Sequence, residues 1–180
     1  MDWQVLTGIS SSVIALCALT FSIWQGHQAR KHNRLSFRPH LTTWAHSNVE
    51  KGFYAVDLIN NGLGPALIEE FVVKVDGKVV RGEGIESLEK ALKIVFPNHN
   101  YQSHHAYVAK GYAMGAKDKC TILAIQFTGQ PLPSREFVEH AFNRGDLEVA
   151  YKSFYEEQFH LSTEKEKSNK QMQPPVDSAE

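Results

Sequence analysis

Cysteine is scarce in this chain: only two of its 180 residues are cysteines. Cys17 lies inside a long apolar run and Cys120 opens a strand-like segment, so we do not expect the two thiols to meet. The sequence therefore implies no disulfide framework, which agrees with a reducing compartment. Cys120 has the character of a small core residue rather than of a nucleophile.

An excess of charge of one sign is also absent. The chain has 19 basic and 20 acidic residues, a net charge of −1, which argues against a nucleic-acid partner. Common enzyme motifs are missing as well: Ser134 lies outside any Gly-x-Ser-x-Gly elbow, and the run 77–84 lacks the Gly-Lys-Ser/Thr ending of a phosphate loop. We therefore predict a protein that is not an enzyme and needs no cofactor.

Charge and proline are both missing from the stretch Trp3–Trp24, WQVLTGISSSVIALCALTFSIW. As a helix with a rise of about 1.5 Å per residue it would reach about 33 Å, enough to cross a hydrocarbon core of about 30 Å. We predict an uncleaved transmembrane helix over about 3–24, within an anchor unit of residues 1–34. A cleaved secretory signal and a lipoprotein signal are the alternatives. Both normally have a basic n-region, whereas only Met1 and Asp2 precede this run.

A basic segment without any acidic residue follows the apolar stretch. Its four cations are Arg30, Lys31, Arg34 and Arg38. The positive-inside rule then predicts a single-pass protein of the inner (cytoplasmic) membrane, with the N-terminus outside and the following domain in the cytoplasm. These side chains are also candidates for binding lipid headgroups, although a plain topology signal would use the same residues.

Small residues inside the apolar stretch recur at alternating spacings of three and four: Gly8, Ser11, Ala15, Ala18 and Ser22. This spacing places them on one stripe of a helix, where small side chains let two helix backbones approach closely. The pattern predicts self-association through the membrane helix, hence a homo-oligomer. The alternative is that serine and alanine are simply common in such helices.

Residues 35–162 change to the alternating pattern of strands separated by polar turns, which predicts an antiparallel β-sandwich with short helices. Asp76-Gly77 is the signal of a tight hairpin, Ser134 is a candidate helix cap, and residues 163–180 are predicted to be disordered. The predicted strands are 41–46, 53–59, 66–75, 79–80, 106–109, 120–127 and a closing hairpin over 147–161, and the predicted helices are 85–95 and 134–142.

The segment 56–77, VDLINNGLGPALIEEFVVKVDG, resembles the strand–turn–strand of bacterial immunoglobulin-like modules of the cell-adhesion-related type. The whole layout is similar to uncharacterised bacterial single-pass membrane proteins with an Arg-Pro-x-Leu entry, here 38–41, and an Asn-Gly-x-Gly-Pro-Ala turn. The resemblance implies a transmembrane helix followed by a cytoplasmic immunoglobulin-like β-domain. It also implies a rigid structural turn at Asn61, Gly62, Gly64 and Pro65. The departure from the pattern is a helical insertion over 82–119, where we expect a function peculiar to this chain to lie.

Three histidines within seven residues are the best candidates for chemistry: His99, His104 and His105. Three imidazoles could hold zinc with a fourth ligand from elsewhere. The spacing is unlike that of known metal motifs, and adjacent residues on a strand point to opposite faces, so we predict no metal site and a solvated loop instead.

Our main functional hypothesis is a membrane-anchored, non-enzymatic protein that binds a protein partner or small ligand through the 82–119 insertion. A narrower form of it is an effector or accessory factor in a stress or phage-defence pathway. The alternative is a membrane-tethered, metal-dependent enzyme that uses the His99/His104/His105 loop.

Overall fold

The computed structural model of this protein describes residues 3–164. The chain forms two compact units that divide between Arg38 and Pro39, and each is described by itself. The predicted order, an N-terminal apolar helix followed by a β-rich body with few helices, is confirmed. The predicted tail, from residue 165 onward, lies outside the described residues.

The first unit is one continuous helix, α1, which runs over Trp3–Ser36 and so includes the basic exit. It is long and apolar enough to cross a membrane, a test that a signal sequence near an N-terminus also passes. Hydroxyl groups along it donate to carbonyls one turn back, as Ser11 does to Thr7 (2.8 Å) and Ser22 to Ala18 (2.8 Å). These internal bonds satisfy polar side chains that would be costly in hydrocarbon.

Among its described residues, the second unit contains nine strands, two helices and a 3₁₀ turn at Val49–Lys51. The helices are α2, Glu86–Val95, and α3, Arg135–Asn143. The strands are β1 Leu41–Asn48, β2 Phe53–Asn60, β3 Ala66–Val75, β4 Lys78–Val79, β5 Tyr101–His105, β6 Ala113–Met114, β7 Lys119–Phe127, β8 Gly145–Lys152 and β9 Gln158–Ser162.

These strands form two antiparallel sheets. The first has the order β1-β2-β7-β5, and the second has the order β4-β3-β8-β9, with β6 added to β3. Alternate side chains along the strands are buried and form one core between the two sheets. Leu147, Val149 and Tyr151 of β8 are buried in it, as are Leu58 of β2 and Ile68 of β3. Period-two burial of this kind is what the sequence pattern indicated.

Local turn and cap signals are confirmed where they were strongest. Asp76 and Gly77 both have positive φ, 50° and 74°, as the tight β3–β4 hairpin requires. The Ser134 side chain accepts a hydrogen bond from the Phe137 amide and caps α3.

The predicted strand at 106–109 was wrong. The segment instead contributes β5 to the first sheet and β6 to the second, on either side of those residues. Helix α2 also packs against β3. The 82–119 segment therefore contributes strands to both sheets and a helix that contacts the second.

Candidate functional site

A cavity of about 390 Å³ lies within the β domain, lined by strands of both sheets, by α2 and by the end of α3. Its volume falls in the range of about 300–1,000 Å³ that is usual for small-molecule sites. Most of the lining is aliphatic or aromatic, and it includes Val56 of β2, Val73 of β3 and Phe142 of α3. The arrangement is suited to holding a small, mainly apolar molecule.

Helix α2 supplies one wall of this cavity. Leu88, Ala91, Leu92 and Val95 recur with the period of one helix face, are buried, and line the cavity. Ala91 is the smallest of the four, so its position leaves space where a larger side chain would fill it. The helix belongs to the 82–119 segment in which we expected a function peculiar to this chain.

Polar and charged residues also line the cavity, among them Lys74 on β3 and Asp146 on β8. Lys74 and Asp146 are directly opposed in the β3–β8 register, and Lys74 Nζ lies 2.7 Å from Glu148 Oε1. The hydrogen bond that the Lys74 ammonium donates to Glu148 raises the pKa of Lys74, and the charges of Glu148, Glu164 and Asp146 raise it further against the effect of burial.

A second cluster lies on the opposite face of the first sheet, around the fully buried carboxylate of Asp57. Thr121 Oγ1 donates to Asp57 Oδ1 at 2.6 Å, while Lys119 Nζ and His46 Nδ1 lie 2.7 Å and 3.2 Å from Oδ2. Burial on its own would raise the pKa of Asp57. Hydrogen bonds from Lys119 and Thr121, together with the charges of Lys119 and His46, outweigh burial and hold this pKa below its ordinary value.

Cys120 lies between Lys119 and Thr121 along β7 and is half-buried. Burial, and then the charge of Asp57, raises the pKa of its thiol above the ordinary value. A neutral thiol is a poor nucleophile, and Cys120 packs against the core cluster instead.

The three histidines do not come together. His104 and His105 are neighbours on β5, opposite Ala124 and Leu123, and so point to opposite faces of the sheet. His99 is stacked on Phe137, with 4.9 Å between ring centroids, and burial lowers the pKa of His105. Across residues 3–164, no three His, Cys, Asp or Glu side chains are grouped so that they could hold a metal ion.

At the predicted structural turn, the residue that organises the loop is Asn60, one position before Asn61. The buried Asn60 side chain accepts from the His40 and Gly62 amides and lies within 3.2 Å of the carbonyls of Gly64, Met114 and Gly115. Asn61 is exposed and donates to Thr42 Oγ1 at 2.7 Å. The Asn60 side chain thus forms hydrogen bonds to the backbone of both Gly62 and Gly64. Pro65, which follows Gly64, is half-buried.

On α1, the small residues Gly8, Ser11, Ala15, Ala18 and Ser22 are all exposed on the helix surface. The four basic residues Arg30, Lys31, Arg34 and Arg38 are exposed as well. Both sets are therefore accessible for contacts outside this unit.

Sequence reasoning missed the cavity, the Asn60 hub and the Asp57 cluster. An acid inside the apolar strand FYAVDLIN was the one local signal for Asp57, because an ionised group at a buried strand position needs partners. The cavity has no such signal, since its lining comes from distant segments.

Compared with known proteins, this chain matches no family model, no curated protein sequence and no solved structure. Its function therefore has to be inferred from its own residues.

Proposed function

We propose that this chain is a non-enzymatic, single-pass membrane protein whose cytoplasmic β domain binds a small, mainly apolar molecule in the cavity between its sheets. The observation that carries the proposal is the wall formed by α2, which turns four apolar side chains toward a cavity of about 390 Å³. Burial of apolar ligand surface there would supply the binding free energy, at about 25 cal/mol per Å² before the costs of association.

Binding is favoured over catalysis by the composition of the cavity. Its charged lining residues are Lys74 and Asp146 among the residues described, and the remainder of its surface is mainly carbon. Such a surface can hold a chain or ring but offers little for general acid–base or nucleophilic chemistry. The alternative, a metal-dependent enzyme built on His99, His104 and His105, gains no support from the placement of these side chains.

The test is photo-crosslinking of the full chain in phosphatidylcholine vesicles. The probe is a long-chain alcohol that carries a diazirine in its chain and a terminal alkyne, and labelled peptides are identified by mass spectrometry. We expect labels in α2 and β3 in addition to α1, which serves as the internal control for lipid exposure.

Two variants of α2 sharpen the experiment. Ala91→Phe fills the cavity and should abolish labelling of the β domain while α1 remains labelled. Ile94→Phe is the matched control, because Ile94 is 48% exposed on the same helix and does not line the cavity. Ala45→Phe, at an exposed lining position on β1, is a second filling variant if Ala91→Phe fails to fold. An unlabelled β domain in the unmodified chain would reject the proposal.

The membrane orientation and the self-association of α1 are parts of the same proposal. A reporter fused to the C-terminus should be protected inside the cell, and exposure outside would overturn the orientation. Gly8→Leu combined with Ala15→Leu should weaken crosslinked oligomers in membranes, since bulky side chains keep two backbones apart. Val13→Leu, away from the small-residue stripe, is the control, and equal crosslinking of all three proteins would reject self-association through this stripe.

We also propose that the β domain is an immunoglobulin-like sandwich. Two antiparallel sheets that share one core support this, as does the passage of the chain from one sheet to the other at the Asn60–Ala66 turn. An experimental structure whose sheets do not pack face to face across one core would reject it. An effector or accessory role in stress or phage defence is a narrower proposal, tested by phage plating on a deletion strain and its complemented parent.

A further inference from the structure

Strand β1 is an open edge of the first sheet. It is eight residues long, Leu41–Asn48, and pairs on one side with β2. It stands at the end of the order β1-β2-β7-β5, and within residues 3–164 no strand pairs with its other side. The Leu41 end is covered, because the Leu41 amide donates to the Tyr151 hydroxyl, whereas residues 44–48 are all exposed. The exposed part of β1 therefore has room beside it for another strand.

This edge lacks the features that usually keep sheet edges from pairing. The strands at the other three ends of the two sheets are shorter, since β5 and β9 have five residues each and β4 has two. The β1 sequence, LTTWAHSN, contains no lysine, arginine, acidic residue or proline, the residues that normally block strand addition. Trp44, opposite Asp57 on the outer face of the sheet, is 60% exposed. A long uncharged edge that carries an exposed tryptophan is typical of an interaction surface.

The direction of the backbone groups on this edge follows from one hydrogen bond. The Leu41 amide points away from β2, since it donates to Tyr151 on β8. Backbone groups alternate along an antiparallel strand, so the amides and carbonyls of every second residue share that direction. These residues are Thr43, Ala45 and Ser47. Thr43 is half-buried, whereas Ala45 and Ser47 are exposed. The backbone groups that a further strand would meet are therefore those of Ala45 and Ser47.

We propose that a second copy of this chain pairs its β1 with this edge, antiparallel and about a two-fold axis. The exposed stretch 44–48 has His46 at its centre, so a self-pairing that uses all of it places His46 opposite the same residue of the second copy. Ala45 then lies opposite Ser47, and their amides and carbonyls bond in both directions. Trp44 lies opposite Asn48, and the first sheets of the two copies join into one continuous sheet.

The composition of the edge favours a second copy as its occupant. Because β1 carries no fixed charge, two copies meet there without like-charge repulsion, and each outward amide of the exposed stretch finds a carbonyl. The same strand serves on both sides, so the contact closes on itself and gives a dimer. Two copies anchored in one bilayer meet at a raised effective concentration, which lets a short interface suffice. The inference thus rests on the proposed membrane anchor and not on ligand binding.

Disulfide crosslinking of the full chain in phosphatidylcholine vesicles tests the pairing. All chains carry Cys17→Ser and Cys120→Ala, so that the introduced cysteine is the only thiol, and copper phenanthroline is the oxidant. His46→Cys places two thiols at the axis, where opposed residues have Cα atoms about 4.5 Å apart. Asn48→Cys is the matched control on the same exposed face, because its two copies would lie about 13 Å apart along the strands. Since a disulfide needs Cα atoms within about 7 Å, we expect His46→Cys to dimerise on the order of tenfold faster.

A second measurement does not depend on replacing His46. Chains with Trp44→Cys and chains with Asn48→Cys, which carry different tags, are mixed in the same vesicles. In the proposed register these two positions oppose each other, while each lies far from its own equivalent. We therefore expect crosslinks between the two kinds of chain to form several-fold faster than crosslinks within either kind.

A proline on the edge tests whether backbone pairing is the cause. Ser47→Pro in the His46→Cys chain removes an amide that points away from β2, so the β1–β2 ladder is kept while a bond to the second copy is lost. It should slow dimerisation to the rate of Asn48→Cys. Ser47→Ala keeps the amide and is the control, expected to crosslink like its parent. The two proline and alanine chains should have the same Tm.

The outcomes separate this inference from the proposals before it. Equal rates for His46→Cys and Asn48→Cys, together with no preference in the mixture, would overturn the β1 pairing and leave the ligand-binding proposal untouched. Crosslinking of His46→Cys in cell membranes to a different protein in place of itself would also overturn it. The preference for His46 should persist when Gly8→Leu and Ala15→Leu are added, since β1 and the α1 stripe are separate surfaces.

Discussion

Asp57 Oδ2 lies 2.7 Å from Lys119 Nζ, although the Asp57 side chain is fully buried and that of Lys119 is 53% exposed. The contact joins β2 to β7, and His46 extends it to β1. A buried carboxylate is stable in this place only because hydrogen bonds and positive charge compensate for its lost hydration. The cluster therefore fixes the outer face of the first sheet at the point where the β2–β7 register shifts.

We predict that Asp57 makes stability depend on acid pH. Its pKa in the folded protein lies below the ordinary value, so its contribution to stability is fully present above the unfolded pKa of about 3.9 and is lost as pH falls through the folded pKa. Asp57→Asn should lower Tm near neutral pH, and we expect it to reduce the free energy of unfolding by about 2 kcal/mol. This deficit should shrink below about pH 4. The other carboxylates are the same in the unmodified protein and in the variant, so their effects cancel in the difference between the two. A difference in stability that stays constant with pH would contradict the prediction.

Removing the partner of that carboxylate should also destabilise the fold. Lys119→Met leaves Asp57 with Thr121 and His46 as partners, and we expect a loss of about 1–3 kcal/mol in chemical denaturation. Lys51→Met removes one positive charge from an exposed position on the 3₁₀ turn and is the control, expected to change stability by less than about 0.5 kcal/mol. Equal effects of the two substitutions would show that the Lys119–Asp57 contact contributes nothing specific.

The two adjacent asparagines should respond very differently to substitution. Asn60→Ala removes a buried amide that serves two amide donors and three carbonyls, so we expect a loss of about 3 kcal/mol or more. Asn61→Ala removes one exposed side-chain hydrogen bond and should cost about 1 kcal/mol or less. Urea titration of both variants checks this, and an order reversed between the two would contradict the role of Asn60.

Tyr151 on β8 forms a hydrogen bond with the first residue of β1. Its hydroxyl accepts a hydrogen bond from the buried Leu41 amide at 3.2 Å, and burial raises its pKa above the ordinary value. Tyr151→Phe keeps the stacking on Phe159 but leaves that amide without its acceptor, at an expected cost of about 1–3 kcal/mol. Tyr155→Phe, at a position that is 45% exposed, should be close to neutral in the same thermal unfolding experiment.

Histidine variants should behave as structural and not as metal-site variants. His99→Ala removes a ring stacked on Phe137 and should cost about 0.5–1.5 kcal/mol, while His104→Ala, at an exposed position on β5, should cost almost nothing. Added zinc should leave Tm of the unmodified chain unchanged. A zinc-dependent rise in Tm that disappears in the triple His99, His104 and His105 alanine variant would revive the metal-dependent alternative.

The features that sequence predicted best are those encoded within a short window. Ala66–Val75 was predicted with its observed bounds, and the Asp76-Gly77 hairpin and the Ser134 cap depend on backbone preferences of single residues. The error at 106–109 has the same origin, because two short strands that pair with different sheets leave only a weak alternation in the sequence.

Sequence by itself determined the long apolar helix, the β-rich body and most strand positions, since composition and periodicity act locally along the chain. Only the tertiary structure decided that Asn60 and not Asn61 organises the turn, that Asp57 has Lys119 and His46 as partners, and that the histidines are kept apart. It also decided that α2 closes a cavity between the sheets. Each of these depends on which distant segments pair and in what register, and no residue carries that information in its immediate neighbours.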